Sequence, residues 1–229
     1  MADRYFSADP IEGSTVALSG SEAHHLLNVM RAQPGLAVVL FDGRGGEYAA
    51  EVTRCGRNEV ELTVGPRQDV ERELPFELTL AVPLPKGDRQ RWLVEKAVEL
   101  GVSRLIPLKT ARSEGVPGEP AAKLARYVIE ASKQCGRNRL MEIAPTVGWQ
   151  ALVRETGRRR LVAHPGGWPL GEHSLTAADT LVAVGPEGGF TGEEIAEAAS
   201  GDWQVVDLGS RILRVETAAL MLVAALSVA

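Results

Sequence analysis

The sequence predicts an α/β protein in which a small β-rich N-terminal unit precedes a larger unit of strands alternating with helices. Three observations carry this reading. The first seventy residues are dominated by short strand-like runs with a single helical stretch. Beyond them, short apolar strands alternate with amphipathic helices, the pattern of a sheet with crossover helices. Between the two, Gly65 to Pro75 has two prolines, five charged residues and little apolar content, as an exposed connection requires. The domains are therefore drawn as 1–72 and 73–229.

In the first unit, Ser19 and Glu22 have the spacing of a capping box, and Ala23, Leu26, Leu27 and Met30 follow at helical spacing until Pro34-Gly35. Leu36 to Phe41 and Glu47 to Arg54 flank the turn-rich run Asp42-Gly43-Arg44-Gly45-Gly46, and Glu59 to Val64 alternates charged with apolar residues. A hairpin plus a third strand is expected. In the second unit Phe76 to Val82 reads as a strand. Asp88 to Leu100 reads as a helix with Trp92, Leu93, Ala97 and Leu100 on one side and a stop at Gly101. Val102 to Leu108 returns as a strand, and Pro120 suits the first turn of a helix that runs to Cys135 and stops at Gly136. Leu161 to Ala163, Thr180 to Val184 and Val205 to Leu208 are short strands. Helices are expected over Gly192 to Ala199 and Glu216 to Val228.

A chain of 229 residues that is 45% hydrophobic can bury a sizeable core. Its apolar stretches fall short of the roughly 20 residues of a bilayer span, and the N-terminus lacks a basic segment followed by an apolar run. A cytoplasmic protein with no membrane association is expected. Cys55 and Cys135 stand apart and outside any CxxC or Cys/His cluster, and the adjacent His24 and His25 point in different directions on a helix, so no metal site is expected. Net charge is −5, yet residues 86–139 hold 12 Lys/Arg against 6 Asp/Glu. Local potential decides where phosphates dock, so this segment is either a polyanion-facing surface or a solvated basic face. Within it Lys123, Arg126, Glu130, Lys133 and Arg137 recur at helical spacing.

Two segments carry candidate chemistry. In the run Val182 to Ile195, an apolar strand enters the glycine-rich turn Gly185-Pro186-Glu187-Gly188-Gly189, and Thr191 with Glu194 then has capping-box spacing. Such a turn lets a ligand approach the backbone closely, or it is simply a tight strand-to-helix connection. The spacing matches neither the Walker loop nor GxGxxG, which disfavours phosphate cradling. In the run Leu208 to Ala218, Arg211, Arg214 and Glu216 occupy a short connection before an apolar helix, where charge is costly unless paired or used. An ion pair in the Arg214 to Glu216 region with helix capping by Glu216 and Thr217 is one explanation; a reactive site is the other.

Together these motifs resemble the RsmE family of 16S ribosomal RNA uridine-N3 methyltransferases, in the SPOUT superfamily. The resemblance rests on Lys86-Gly-Asp-Arg89, Glu95 to Val102, Glu130 to Arg139, Gly185 to Gly189 and Leu208 to Ala218, in that order. It extends to Arg4-Tyr5-Phe6, His25, Val29-Met30-Arg31, Gly35 and Asp42-Gly43, which are similar to the family's PUA-like RNA-binding domain. Met141 departs from it, standing where the family commonly has proline. The resemblance implies a C-terminal α/β domain with a trefoil knot, S-adenosylmethionine as cofactor, a homodimer, and 16S ribosomal RNA or the small ribosomal subunit as partner. It implies cofactor contacts from His164, Gly185, Pro186, Glu187, Gly188, Gly189, Leu208, Gly209, Ile212 and Leu213. Uridine N3 must lose its proton, so Arg211 and Arg214 are expected to stabilise the anion, with Glu216 as proton acceptor or as a structural helix cap. RNA contacts are expected from Arg4, Arg31, Lys86, Arg89, Arg126, Lys133, Arg137 and Arg139. The competing readings are a related methyltransferase acting on another RNA nucleotide and a catalytically silent RNA-binding assembly factor.

Overall fold

The computed structural model describes residues 3–113, 121–172 and 176–228. Pro120, expected to open a helix, lies outside them. The chain divides into two compact units, Met1–Glu73 together with Ser132–Leu140, and Leu74–Ala131 together with Met141–Ala229.

In the first unit β1 (Arg4–Phe6), β2 (Thr15–Ser19), α1 (Gly20–His24), β3 (Ala37–Phe41), β4 (Glu47–Cys55) and β5 (Glu59–Gln68) follow in order. The five strands form one sheet in the order β1-β3-β4-β5-β2. Along β4 buried Tyr48, Ala50 and Val52 alternate with more accessible residues and meet Tyr5, Leu40 and Leu62 in the core. The expected hairpin and third strand are β3, β4 and β5. The two strands not expected, β1 and β2, are short and exist by pairing, β1 parallel to β3 and β2 antiparallel to β5.

The expected capping box at Ser19 does not form, because Ser19 makes no side-chain cap bond. Glu22 is engaged elsewhere: its carboxylate accepts from the Phe6 amide at 3.2 Å and from Lys133 Nζ at 3.0 Å. The helix accordingly passes into a π-helical turn over His25–Val29, leaving Val29 and Met30 exposed.

Ion pairs draw Ser132–Leu140 into this unit. Glu47 accepts from Arg4 Nη1 at 2.6 Å and Arg72 Nη1 at 2.8 Å, and Asn138 donates to the same oxygen at 3.3 Å. Arg137 Nε donates to both oxygens of Glu73, at 3.1 and 3.0 Å. The bonds from Arg72, then Arg4 and Asn138, outweigh the opposing effect of burial and hold the Glu47 carboxyl at about 2.

The second unit comprises β6 (Leu78–Val82), α2 (Asp88–Glu99), β7 (Arg104–Lys109), α3 (Ala121–Cys135), β8 (Glu142–Ile143), β9 (Val147–Gly148), α4 (Trp149–Leu152), β10 (Arg159–Pro169), β11 (Thr180–Val184), α5 (Gly192–Ser200), β12 (Gln204–Asp207) and α6 (Val215–Ser227). The last four residues of α3 belong to the first unit. The sheet runs β12-β10-β11-β6-β7-β8, with β9 also on β7, and every pairing is parallel. Both β6 and β11 are buried throughout, as continuous apolar strands covered on both faces must be. Trp149 packs on Phe190 and Trp203 with ring centroids 4.7 and 5.8 Å apart, in a core shared with Leu152, Val162 and Leu181. Among the described residues no helix is long and apolar enough to cross a membrane.

Replacing Glu47 by Gln is expected to destabilise the protein at pH 7 by about 2 kcal/mol, between the values for exposed and buried ion pairs. A carboxyl held below its ordinary value stabilises the fold above that value and ceases to do so as pH falls through the folded one. Denaturant unfolding of both proteins should therefore show the difference shrinking from pH 4.5 and vanishing near pH 2.

Candidate active site

Parallel strands of one sheet end at the same edge, and the order β12-β10-β11 places the three loops leaving them side by side. The first loop is a bulge inside β10. Ala163 and Trp168 both face Val206 across the ladder, so His164 to Gly167 are thrust out of register. A Cβ on Gly167 would lie 2.6 Å from the backbone of Val205, so only glycine fits there. The second loop is the turn Gly185 to Gly189, closed by the Gly189 amide donating to Pro186 O at 2.8 Å. Gly185 and Pro186 are buried, while Glu187 and Gly188 are exposed. Thr191 Oγ1 accepts from the Glu194 amide at 3.1 Å and Glu194 returns a carboxylate oxygen to the Thr191 amide at 2.8 Å, completing the expected capping box. The third loop runs from Leu208 to Leu213, with Gly209 at φ +102°.

Two residues not singled out in the sequence hold these loops. Asp207, at the end of β12, accepts from the Gly166 amide at 2.9 Å and the Gly209 amide at 2.7 Å, tying the first loop to the third. Those amides, Gly166 first, with a smaller contribution from His164, hold its carboxyl below the ordinary carboxylate range. The local signal was an aspartate two residues before a glycine, the spacing of an Asx turn. Arg112 donates from Nη1 to Gly188 O at 2.6 Å and Phe190 O at 3.4 Å, and the Ala111 amide donates to Glu194 Oε1 at 2.9 Å. Nothing in the sequence marks Arg112, whose partners lie over 70 residues away.

The expected reactive residues sit at the third loop and the start of α6. Arg211 and Arg214 are exposed, Ile212 is fully exposed, and Leu213 is half-buried. Glu216 is buried, and its Oε2 has no hydrogen-bond partner among the described residues. The cation beside it is Arg89 of α2, 3.9 Å away, rather than Arg214. The same Arg89 nitrogen lies 3.8 Å from Glu187 in the glycine-rich turn, so Glu216 and the second loop share one neighbour.

These loops fit a nucleoside cofactor. A Cβ on Gly189 or Gly209 would meet nothing within 4 Å, so their backbone borders open space, and Ile212 offers a bare apolar face beside it. The histidines and acids of the described residues form no group able to hold a metal ion. A polar cavity of about 400 Å³ opens at the opposite, N-terminal edge of the strands, lined by Glu77, Arg104, Glu142, Arg158 and Asp179 among others.

Three of the cations expected to meet RNA are engaged in ion pairs. Arg4 pairs with Glu47, Arg137 with Glu73 and Lys133 with Glu22, and all three side chains are largely buried. Each neutralises a carboxylate of the first unit. Arg31, Lys86, Arg89, Arg126 and Arg139 are exposed. Trp149 and Trp203 belong to the core, whereas Trp168 is exposed.

The chain matches the family described as RNA methyltransferase domain over residues 72–227 and that described as RNA methyltransferase PUA domain over residues 18–65. It is 32% identical to a ribosomal RNA small subunit methyltransferase E of Bacillus subtilis, over 94% of this chain and 91% of the relative. Among solved structures it is similar to a ribosomal RNA small subunit methyltransferase E from Neisseria gonorrhoeae bound to S-adenosyl methionine, with TM-score 0.88, 31% identity, and coverage of 100% and 98% of the two chains. A putative methyltransferase from Legionella pneumophila in complex with the same cofactor gives TM-score 0.91 at 28% identity, covering 100% and 98%.

Replacing Asp207 by Ala should release the Gly166 and Gly209 amides together. Hydrogen exchange at both is expected to accelerate by roughly tenfold or more, with core amides of β11 unchanged. Unaltered protection at the two glycines would show that Asp207 does not hold the loops.

Proposed function

This chain belongs to the ribosomal RNA small subunit methyltransferase E family and is an S-adenosylmethionine-dependent ribosomal RNA methyltransferase; we propose that its acceptor is N3 of a uridine in 16S ribosomal RNA. The observation that carries the reading is the meeting of three loops at one sheet edge, with a buried, donor-less carboxylate oxygen linked to them through Arg89.

The cofactor supplies an electrophilic methyl group on a sulfonium. In this chain His164, the turn Gly185-Pro186-Glu187-Gly188-Gly189, Leu208, Gly209, Ile212 and Leu213 would hold it, while Asp207 and Arg112 keep their loops in place. Uridine N3 is a poor nucleophile until its imide proton leaves, and the resulting charge spreads onto O2 and O4. Arg211 and Arg214 are exposed guanidiniums able to stabilise that charge. Glu216 accepts the proton. A carboxylate oxygen without a donor suits an imide N–H, whereas a cytidine would present a lone pair there and be repelled.

The exposed cations Arg31, Lys86, Arg126 and Arg139 contact the RNA backbone in this reading, with residues 1–72 acting as the PUA-like RNA-binding module. A homodimer is supported by Trp92 on α2 and Met221 on α6, large apolar side chains left exposed on two helices that pack together. The trefoil knot is supported by family membership and by a sheet order in which β12 lies beyond β10 rather than beside β11. Ribosomal RNA as substrate supports a cytoplasmic location.

Incubation with small subunits and with bare 16S RNA, followed by mass spectrometric mapping, should find one methyl group on a uridine N3. Methylation of another nucleotide, or none, would sink the reading. Arg211→Ala is expected to lower kcat by about 100-fold while the Kd for S-adenosylmethionine stays within about threefold. Unchanged turnover would remove Arg211 from the reactive set.

A further inference from the structure

We propose that Arg89 is a positioning residue that sets a counter-charge beside Glu216 while leaving its inner oxygen open to substrate; this rests on the reading of Glu216 as proton acceptor. One atom, Nη1 of Arg89, lies 3.8 Å from Glu187 Oε1 and 3.9 Å from Glu216 Oε2. Both distances exceed hydrogen-bonding length, so the interaction is one of charge. Oε2 of Glu216 therefore remains buried with no donor, although a cation stands beside it.

The two carboxylates gain unequally from that cation. The Glu187 side chain is 67% exposed and that of Glu216 only 5%, and attraction at equal separation is far stronger where water is excluded. Arg89 thus acts mainly on Glu216. Its place in the chain points the same way. Arg89 is the second residue of α2, where the positive end of the helix dipole favours the preceding Asp88 and disfavours a guanidinium. A cation held against the helix dipole, between two carboxylates and hydrogen-bonded to neither, acts as a counter-charge. Had it approached Glu216 closely, the guanidinium would occupy the oxygen that the substrate needs.

The open oxygen defines the proton's route. The N3–H bond breaks and its proton passes to Oε2, the nitrogen electron pair forms the N3–CH3 bond, and the methyl–sulfur bond of the cofactor breaks to leave a neutral thioether. Arg89 touches none of the reacting atoms. It places a positive charge beside the carboxylate that takes the proton, and through Glu187 it links that carboxylate to the glycine-rich turn.

The test uses the full chain with small subunits and S-adenosylmethionine, comparing R89M, R89K, E216Q and the R89M/E216Q double variant in kcat, in KM for both substrates and in thermal midpoint. R89M is expected to lose about 30-fold in kcat, with KM for the cofactor within about twofold and a lowered midpoint, because the buried carboxylate loses its counter-charge. R89K should recover most of that loss, and the double variant should be no slower than E216Q, because Arg89 acts through Glu216. A rise in RNA KM at unchanged kcat would mark a phosphate contact and overturn the proposal, as would losses that multiply in the double variant. Slow E216Q beside wild-type R89M defeats this proposal alone; wild-type turnover by E216Q defeats the reading of Glu216 and this proposal with it.

Discussion

The parallel pairing of β10 with β11 on one side and β12 on the other is the constraint on which the rest of the site depends. Strands joined in this way cannot deliver their following loops anywhere but a common edge. The bulge at His164 to Gly167 then gives the central loop extra chain, and Asp207 fixes it to the loop beside it. The glycines matter as places where backbone must come close to backbone or to a ligand. A single parallel register thus brings three segments between residues 164 and 213 to one sheet edge.

Charge is deployed in two distinct ways. In the first unit, cations neutralise carboxylates at hydrogen-bonding distance: Arg4 and Arg72 on Glu47, Arg137 on Glu73, Lys133 on Glu22. These pairs hold Ser132–Leu140 in that unit. Beside the glycine-rich turn Arg89 stands beyond hydrogen-bonding distance from Glu216, and among the described residues the buried oxygen there has no donor. Satisfied networks stabilise a fold, and in the proposed reading the open oxygen of Glu216 is completed by substrate.

Much of the architecture was legible in the residues. The alternation of strands and helices after residue 72 appears in the sheet and its crossovers, and Thr180 to Val184 forms a strand over those five residues. Thr191 and Glu194 form the expected capping box because both partners are local. Ser19 and Glu22 have the same spacing and fail, since Glu22 finds the Phe6 amide and Lys133 instead. The family motifs identified the cofactor, while β1 and β2 escaped notice because strands so short depend on their partners rather than on their own pattern.

By itself, then, the sequence determined what is written locally: the helix stops at Gly101 and Gly136, the buried strands β6 and β11, the glycine-rich turn, and the cluster of Arg211, Arg214 and Glu216 before an apolar helix. Tertiary structure alone decided which charges face each other. It sent Arg4, Lys133 and Arg137 to carboxylates of the first unit, set Arg112 on the carbonyls of Gly188 and Phe190, and placed Arg89 rather than Arg214 beside Glu216. Periodicity and capping act over a few residues of one segment, whereas ion pairing depends on distances between atoms far apart along the chain, and those distances exist only once the sheet has formed.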